Sequence, residues 1–256
     1  MNSWVEISKA NLKNNVNVIR GLLRKGTKLL AVVKANAYGH GLVETAKILA
    51  SAGVDWFGVF LFEDAITLRR KGIKKPILIV GPSRSEHYSA AARNNIRLTL
   101  TDSVVPQRVP AKLLFHLKID TGLNRQGLHI SSLPQYLASL PKNIIIEGLY
   151  SHFADAGNFD DQSYSIGQLL LFQKAIETLD NTGRAVQFKH IAATRGLLSL
   201  PQAEFDLVRM GIALYGVPPS REFVGRFKLL GLEAVLRWLT TIAQVKNIPK
   251  GSAVGY

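Results

Sequence analysis

The sequence contains no cysteine among its 256 residues. This absence excludes a disulfide framework and any zinc site built from thiolates, and it is compatible with a cytoplasmic location. Long apolar runs are also missing, because no stretch reaches the ~18 uninterrupted apolar residues that a membrane-spanning helix requires. The first residues carry neither a basic nor an apolar segment, so we expect no signal peptide and no association with a membrane.

Acidic residues are scarce, since 18 Asp and Glu stand against 32 Lys and Arg and leave a formal net charge of +14. Such an excess favours anionic partners, which include nucleic acid, a membrane surface and a phosphorylated cofactor. The basic residues are scattered, however, and the densest run, residues 69–75, ends a helix-like stretch where cations suit the helix dipole. We therefore predict a solvated basic surface, with no nucleic-acid partner and no metal site.

Apolar runs of strand length alternate with amphipathic, helix-like stretches along most of the chain. Strands that are buried on both faces and separated by helices indicate a parallel sheet with crossover helices. Eight such units suit a closed (β/α)8 barrel of the TIM type better than an open doubly wound sheet, which usually has a Gly-rich turn after its first strand. The eight predicted strands are residues 29–33, 56–60, 76–80, 98–101, 114–119, 144–150, 188–192 and 207–214.

The character of the sequence changes after Pro218 and Pro219, which mark a linker. Residues 232–245 then favour strands, as expected for the start of another domain. The predicted fold class is therefore α/β: a barrel domain over residues 1–222, followed over residues 223–256 by the beginning of a truncated, β-rich C-terminal domain.

Lys34 is the first candidate functional residue, because it follows an apolar strand in the segment VVKANAYGHG. The C-terminal ends of barrel strands line the mouth of the active site. A lysine that is buried there can lose its charge and become nucleophilic toward an aldehyde. The glycines that follow let the backbone approach a ligand. From the residues alone, a lysine that simply extends out of a strand end remains an alternative.

Three further segments place chemically versatile side chains near the ends of predicted strands. Arg125, in DTGLNR, could bind a carboxylate or a phosphate, or could lie exposed in a turn. His152, in YSHFA, fits a functional role as well as that of a hydrogen-bonded core histidine. Arg209 lies inside the apolar run VRMGIALYG and must be paired, because an unpaired charge is costly to bury.

These segments, together with LKIDTGLNR and the terminal VGY, resemble the alanine racemases, pyridoxal-phosphate enzymes of the racemase-type barrel fold. The resemblance extends in matching order from about Trp4 to Tyr256. It implies an isomerase that interconverts L-alanine and D-alanine with pyridoxal 5'-phosphate as cofactor and supplies D-alanine for peptidoglycan. It also implies a cytoplasmic homodimer of longer chains, because family members continue into a β-rich domain.

The resemblance implies a mechanism with two bases, which act on opposite faces of the substrate. Lys34 binds the cofactor covalently and serves one face, and Tyr256 of the partner subunit serves the other. Because the unperturbed pKa of tyrosine is about 10, Tyr256 needs assistance from neighbouring groups to act as a base. His152 and Arg209 are the groups expected to provide it. Part of each site would belong to the absent domain, so we expect the 256-residue chain to bind the cofactor weakly and to racemise alanine poorly.

Other matching residues are implied to hold the cofactor and the substrate. Arg209 hydrogen-bonds the pyridine nitrogen, and because arginine keeps its proton the ring becomes a weaker electron sink, which restrains transamination. Arg125 lies beside the phenolic oxygen of the cofactor and the substrate carboxylate. Lys118 orients this arginine and is a candidate for carbamylation. The phosphate is implied to be held by Tyr38, Thr194, Gly211 and Ile212.

One segment departs from the family pattern H-x-A-N-S. After His190 the chain has Ala193 and Thr194 at the last two positions, so the hydroxyl is kept and the amide is lost. This change bears on cofactor affinity and on substrate choice. Two alternatives remain: racemisation of serine, lysine or another amino acid on the same scaffold, and a stand-alone, non-catalytic barrel that binds pyridoxal phosphate. The segments AYGHG, DTGLNR and VGY favour the racemases.

Overall fold

The computed structural model describes residues 2–82, 84–102, 104–184 and 186–255. Most of its strands belong to one parallel sheet, and helices follow most of these strands along the chain. The strands are β1 (Ser3–Ile7), β2 (Lys28–Val32), β3 (Trp56–Val59), β4 (Ile77–Ile79), β5 (Ile96–Leu100), β6 (Leu114–Asp120), β7 (Leu128–His129), β8 (Ile145–Tyr150), β9 (Phe188–His190), β10 (Leu207–Met210) and β11 (Leu236–Thr240). The helices are α1 (Lys9–Leu22), α2 (Lys34–Tyr38), α3 (Leu42–Ser51), α4 (Phe62–Arg70), α5 (Tyr88–Arg93), α6 (Leu133–Ser139), α7 (Ser163–Asp180), α8 (Thr194–Ser199) and α9 (Val224–Leu230).

Eight of the strands form a closed parallel barrel in the order β10, β2, β3, β4, β5, β6, β8, β9. The ring closes between β9 and β10 through main-chain hydrogen bonds. The amide of Asp206 donates to the carbonyl of Lys189, and the amide of Arg209 donates to the carbonyl of Ala192, each over 3.1 Å. The prediction of a (β/α)8 barrel is confirmed, and the open sheet is excluded.

The barrel has two apolar layers because successive residues of a strand point to opposite faces. On β2, Leu29 and Ala31 pack outward against the helices, whereas Leu30 points into the barrel. The interior is filled near its base by large side chains, as in other closed barrels of this kind. This inner cluster consists of Leu30, Trp56, Leu78, Phe188 and Leu207, with Val32 and Val80 packed against it.

The C-terminal segment joins the N-terminus. Strand β11 pairs with β1 in antiparallel register, with Ser3 opposite Thr240 and Ile7 opposite Leu236. This antiparallel sheet agrees with the expected start of a β-rich region. Among the described residues, no helix is both long enough and apolar enough to cross a membrane.

Two predicted strand segments extend at least four residues beyond the strands of the structure. The predicted strand over residues 207–214 ends at Met210, because Gly211 leaves the extended conformation (φ −116°, ψ −97°) and a 3₁₀-helical turn follows at Ile212–Tyr215. The strand-rich prediction for residues 232–245 holds only for Leu236–Thr240. The residues after Thr240 pair with no further described strand, and an unpaired strand is not stable in water.

Two glycines with similar backbone angles allow a matched test of the packing between barrel and C-terminal segment. At Gly216 (φ +68°) an added Cβ would overlap the carbonyl group of Glu233, whereas at Gly231 (φ +72°) it would meet open space. We expect Gly231→Ala to lower the free energy of unfolding by about 1–2 kcal/mol, the cost of the left-handed conformation. Gly216→Ala should cost clearly more, because two backbone segments must separate. Urea denaturation measures both, and equal losses would contradict this close approach.

Candidate active site

A cavity of about 490 Å³ opens at the C-terminal ends of the barrel strands. Its lining contains five cationic side chains and, among the described residues, no carboxylate. Tyr256 lies outside the described residues. The cavity brings together every other site residue that the sequence predicts: Lys34, Tyr38, Lys118, Arg125, His152, Thr194, Arg209, Gly211 and Ile212.

Lys34 enters the cavity at the start of an unusual turn. Strand β2 ends at Val32, one residue before the predicted end of this strand, and Lys34 is the first residue of α2, which is a short left-handed turn. Residues 35–38 all have φ near +53°, a left-handed conformation that costs roughly 1–2 kcal/mol per residue outside glycine. Strain of this kind tends to concentrate at functional sites. Hydrogen bonds offset part of it, including one from the amide of Leu42 to the Asn36 side chain at 2.8 Å.

The left-handed turn brings the Tyr38 side chain back over β10. A Cβ added at Gly211 would lie 2.7 Å from the Tyr38 hydroxyl oxygen, so the glycine leaves room for this phenol. Burial raises the pKa of Tyr38, which therefore stays protonated and can donate a hydrogen bond. Thr194 adds a second hydroxyl at the first residue of α8, and its neighbour Ala193 contributes only a methyl group to the lining.

Arg209 is buried on the wall of the cavity, and both of its terminal nitrogens are paired, as the sequence requires, but with neutral acceptors. One terminal nitrogen donates to Nδ1 of His190 at 2.6 Å and to the His190 carbonyl at 3.0 Å. The other donates to the carbonyls of Ser151 at 2.6 Å and Ile191 at 3.0 Å and to Nδ1 of His152 at 3.0 Å. Burial lowers the pKa of Arg209 to about 10, so the guanidinium remains charged at neutral pH.

The protonation state of His152 follows from its neighbour. A guanidinium has only donors, so Nδ1 of His152 must accept the hydrogen bond from Arg209. Burial, followed by the charges of Arg209 and Arg125, lowers the pKa of His152 to about 3. The imidazole is therefore neutral and carries its proton on Nε2, where it can act as a donor.

Lys118 and Arg125 are the other two predicted cations. Lys118 is buried, and its amine lies 3.4 Å from Oε1 of Gln126. Burial, followed by the charges of Arg209 and Arg125, lowers the pKa of Lys118 to about 8. A protonated lysine offers only donors, so in its charged form Lys118 cannot hold the Arg125 guanidinium by a hydrogen bond.

Tyr150 is a residue of the site to which the sequence gives no role. Its ring stacks on the imidazole of His190 with 4.8 Å between centroids and 2° between planes. The guanidinium of Arg209 lies 5.1 Å and the amine of Lys118 5.7 Å from the ring centroid. Tyr150 thus supports two of the predicted cations. Its position directly before Ser151 and His152 at a strand end was the available signal.

The fold and the cavity define the class of this protein: a (β/α)8-barrel enzyme with a lysine amine and a buried arginine in a cationic cavity at the mouth of the barrel. Residues 7–219 match the family model described as alanine racemase, N-terminal domain. The chain is 37% identical to the alanine racemase of Syntrophobacter fumaroxidans, over 99% of this chain and 69% of that protein. It is 36% identical to that of Carboxydothermus hydrogenoformans, over 99% of this chain and 70% of the relative.

Comparison with solved structures indicates the same family. The alanine racemase of Bacillus anthracis with bound L-Ala-P superposes with a TM-score of 0.87 at 32% identity, over 100% of this chain and 68% of that one. The alanine racemase of Clostridium difficile 630 in complex with cycloserine gives a TM-score of 0.86 at 30% identity, over 96% and 70%. The chain therefore belongs to the alanine racemase family of isomerases and spans about seven tenths of the length of these relatives.

Proposed function

We propose that this chain interconverts L-alanine and D-alanine with pyridoxal 5'-phosphate as its cofactor. The observation that carries the proposal is the convergence of Lys34, Arg209 and the hydroxyl-bearing Tyr38 on one cationic cavity. Relatives that align with 99% of this chain are named alanine racemase, which supports alanine as the substrate.

The residues present fit a phosphorylated, planar cofactor. The cavity lining is rich in cations, and a Cβ added at Gly211 would fill the space beside the Tyr38 hydroxyl. When bound, the cofactor supplies a conjugated ring that makes the Cα proton of an attached amino acid acidic. We assign the covalent link to Lys34 and the ring nitrogen to Arg209. We assign the phosphate to Tyr38, Thr194, Gly211 and Ile212.

We propose that inversion at Cα uses one base on each face of the substrate. Lys34 takes or returns the Cα proton on one face, and Tyr256 of the partner subunit does so on the other face. Neutral His152 accepts from Arg209 on Nδ1 and has its Nε2 proton free for this tyrosine. A hydrogen bond donated to the phenolate oxygen would stabilise the charged form and lower the tyrosine pKa.

The same proposal includes a homodimer of longer chains, a cytoplasmic role in supplying D-alanine for peptidoglycan, and the division into a barrel over residues 1–222 and the start of a β domain over residues 223–256. Because the chain spans about seven tenths of its relatives, we propose that it turns over slowly on its own. Misplacement of one reacting group by about 1 Å can already cost on the order of 10²-fold in rate.

A chiral assay with L-alanine, L-serine and L-lysine tests the proposed activity. With added cofactor we expect D-alanine as the main product, at a rate at least about 10²-fold below that of the intact Carboxydothermus hydrogenoformans relative. Equal rates would contradict the proposal of slow turnover. Faster conversion of serine or lysine than of alanine would favour another substrate, and cofactor binding without any conversion would favour the non-catalytic barrel.

Lys118 is a proposed site of carbamylation, because only a neutral amine attacks carbon dioxide. Because the pKa of Lys118 is lowered to about 8, a sizeable fraction of its amine is neutral at pH 8, whereas an ordinary lysine stays almost wholly charged. The carbamate would also replace a cation beside Arg125 with an acceptor able to orient it. We expect carbon-labelled bicarbonate to give one carbamate NMR signal at pH 8 that is absent from Lys118→Ala. A signal that persists in this variant would contradict the assignment.

A further inference from the structure

A chain of polar side chains runs through the interior of the barrel, from Arg209 at the cavity to Arg97 near the opposite end. Nε2 of His190 lies 2.8 Å from Nδ1 of His116, and Nε2 of His116 lies 3.4 Å from Oε2 of Glu147. Arg97 closes the chain with two contacts to the Glu147 carboxylate, at 2.9 and 3.1 Å. We call these five residues the interior polar chain.

The hydrogen bonds of the interior polar chain can run in one direction only. Arg209 can only donate, so Nδ1 of His190 accepts and the proton of this histidine is on Nε2. That proton is donated to Nδ1 of His116, which therefore carries its own proton on Nε2. This second proton is donated to Glu147, which accepts from Arg97 as well. Each link thus determines the next.

Neighbouring residues hold both imidazoles in place. A Cβ added at Gly148 would overlap the His116 ring, so the glycine provides the space that this ring occupies. Trp56 contacts the His116 ring edge-on, with 5.6 Å between centroids. Tyr150 stacks on His190. Because these rings cannot turn freely, their nitrogens stay aligned along the chain.

Glu147 reaches the interior through an irregularity in β8. Phe115 pairs with Ile146 but His116 pairs with Gly148, so the register shifts by one residue at Glu147, as in a β-bulge. Burial raises the pKa of this carboxyl group, but hydrogen bonds from His116 and Arg97 lower it to about 2. A barrel selected for stability alone would fill this space with branched apolar side chains, because buried ionic groups are costly.

We propose that Glu147, acting through His116 and His190, is a positioning residue that holds the Arg209 guanidinium in place at the wall of the active site. The carboxylate fixes the proton on Nε2 of each histidine and so keeps Nδ1 of His190 available as an acceptor for Arg209. The part of this inference that concerns the bound cofactor rests on the proposed function, whereas the direction of the hydrogen bonds does not.

Glu147→Gln tests the proposal because an amide cannot satisfy both neighbours. If its nitrogen faces His116, the two histidines must reverse their protons and Nδ1 of His190 then confronts a donor of Arg209. If its oxygen faces His116, the amide nitrogen confronts Arg97. His116→Gln is the conservative comparison, since glutamine offers an acceptor to His190 and a donor to Glu147. Thr45→Val is the control for stability, because Thr45 is buried on α3 and its hydroxyl bonds only the His40 carbonyl among the described residues.

NMR of histidine ring nitrogens in labelled, cofactor-free 256-residue chain gives the first readout. In the wild-type chain we expect both His190 and His116 to carry their proton on Nε2. His116→Gln and Thr45→Val should leave the His190 signals in this form. Glu147→Gln should move the protons of His116 and His190 to Nδ1 if the amide nitrogen faces His116, or shift the His116 Nε2 signal toward that of a weaker hydrogen bond if the amide oxygen faces it. A wild-type His190 protonated on Nδ1, or unchanged histidine signals in Glu147→Gln, would overturn the proposal. The wild-type measurement decides even if Glu147→Gln does not fold.

Titration with pyridoxal 5'-phosphate gives the second readout. We expect Glu147→Gln to raise the dissociation constant about threefold to tenfold, as for one hydrogen bond lost, while Thr45→Val stays at the wild-type value. An equal loss of affinity in both variants would reduce Glu147 to a structural role and contradict the proposal. Absence of binding in every protein, including the wild type, would contradict the proposed function and leave the NMR result to decide on the interior polar chain.

Discussion

Replacing Lys34 with alanine is expected to abolish covalent binding of the cofactor and to lower alanine racemisation by at least about 10³-fold. The amine has two proposed tasks, the covalent link and proton transfer on one face, and a positioned acid–base group alone contributes roughly 10²–10⁴-fold. Lys34 is the lysine that follows β2 into the cavity, and the left-handed turn over residues 35–38 fixes its position. Absorbance of the protein loaded with pyridoxal phosphate and a chiral assay measure the two losses.

Lys47→Ala is the matched control, because Lys47 is exposed on α3 and is not part of the cavity lining. This variant should keep both the absorbance of the lysine-bound cofactor and the wild-type rate. If Lys34→Ala retained an adduct that borohydride makes permanent, another amine would hold the cofactor and the assignment of Lys34 would be wrong.

Mild acid is expected to destabilise the folded chain strongly, because three of its buried histidines stay neutral in the folded state. Burial and then the charge of Arg209 lower the pKa of His152 to about 3 and the pKa of His190 well below 6.5, and burial also lowers the pKa of His116. The unfolded chain therefore binds more protons than the folded chain as the pH falls below about 6.5. Stability that is present above this pH is lost below it, by up to about 1.4 kcal/mol per pH unit and histidine.

Urea denaturation at a series of pH values between 7 and the onset of acid unfolding measures this loss. For the three histidines together the limiting slope is about 4 kcal/mol per pH unit, a large part of the roughly 5–15 kcal/mol by which domains are stable. His116→Gln removes one of the three titrating groups and should reduce the slope by about one third. A stability that stays constant from pH 7 to pH 5 would mean that these imidazoles titrate freely in the folded chain.

The barrel could be predicted from the sequence because the residue pattern that specifies it is local and repeats along the chain. Apolar runs with the length of strands alternate with amphipathic stretches, and each run lies on or near one of the eight barrel strands. The cavity could be predicted for a related reason, since parallel strands bring their C-terminal ends together. Lys34, Arg125 and Arg209 lie at or just beyond such ends, and their proposed roles come from the resemblance to the alanine racemases.

Two features could not be predicted because they depend on contacts between distant parts of the chain. The left-handed turn after Lys34 has no glycine among residues 35–38, and it is stabilised by surrounding hydrogen bonds rather than by the intrinsic preference of its residues. Strict alternation along β8 from Gly148 would place Glu147 on the outer face of the barrel. The shift in register against β6 turns it inward, and a shift of this kind leaves no mark in a pattern of apolar and polar residues.

The assignment of Lys34 is tested most directly by reducing the cofactor-loaded 256-residue chain with borohydride and mapping the modified peptide. We expect one cofactor per chain, attached at Lys34, whose amine lines the cavity together with Tyr38, Lys118 and Arg209. Attachment at Lys118, or attachment spread over the exposed lysines, would contradict the assignment of Lys34 as the residue that binds the cofactor covalently.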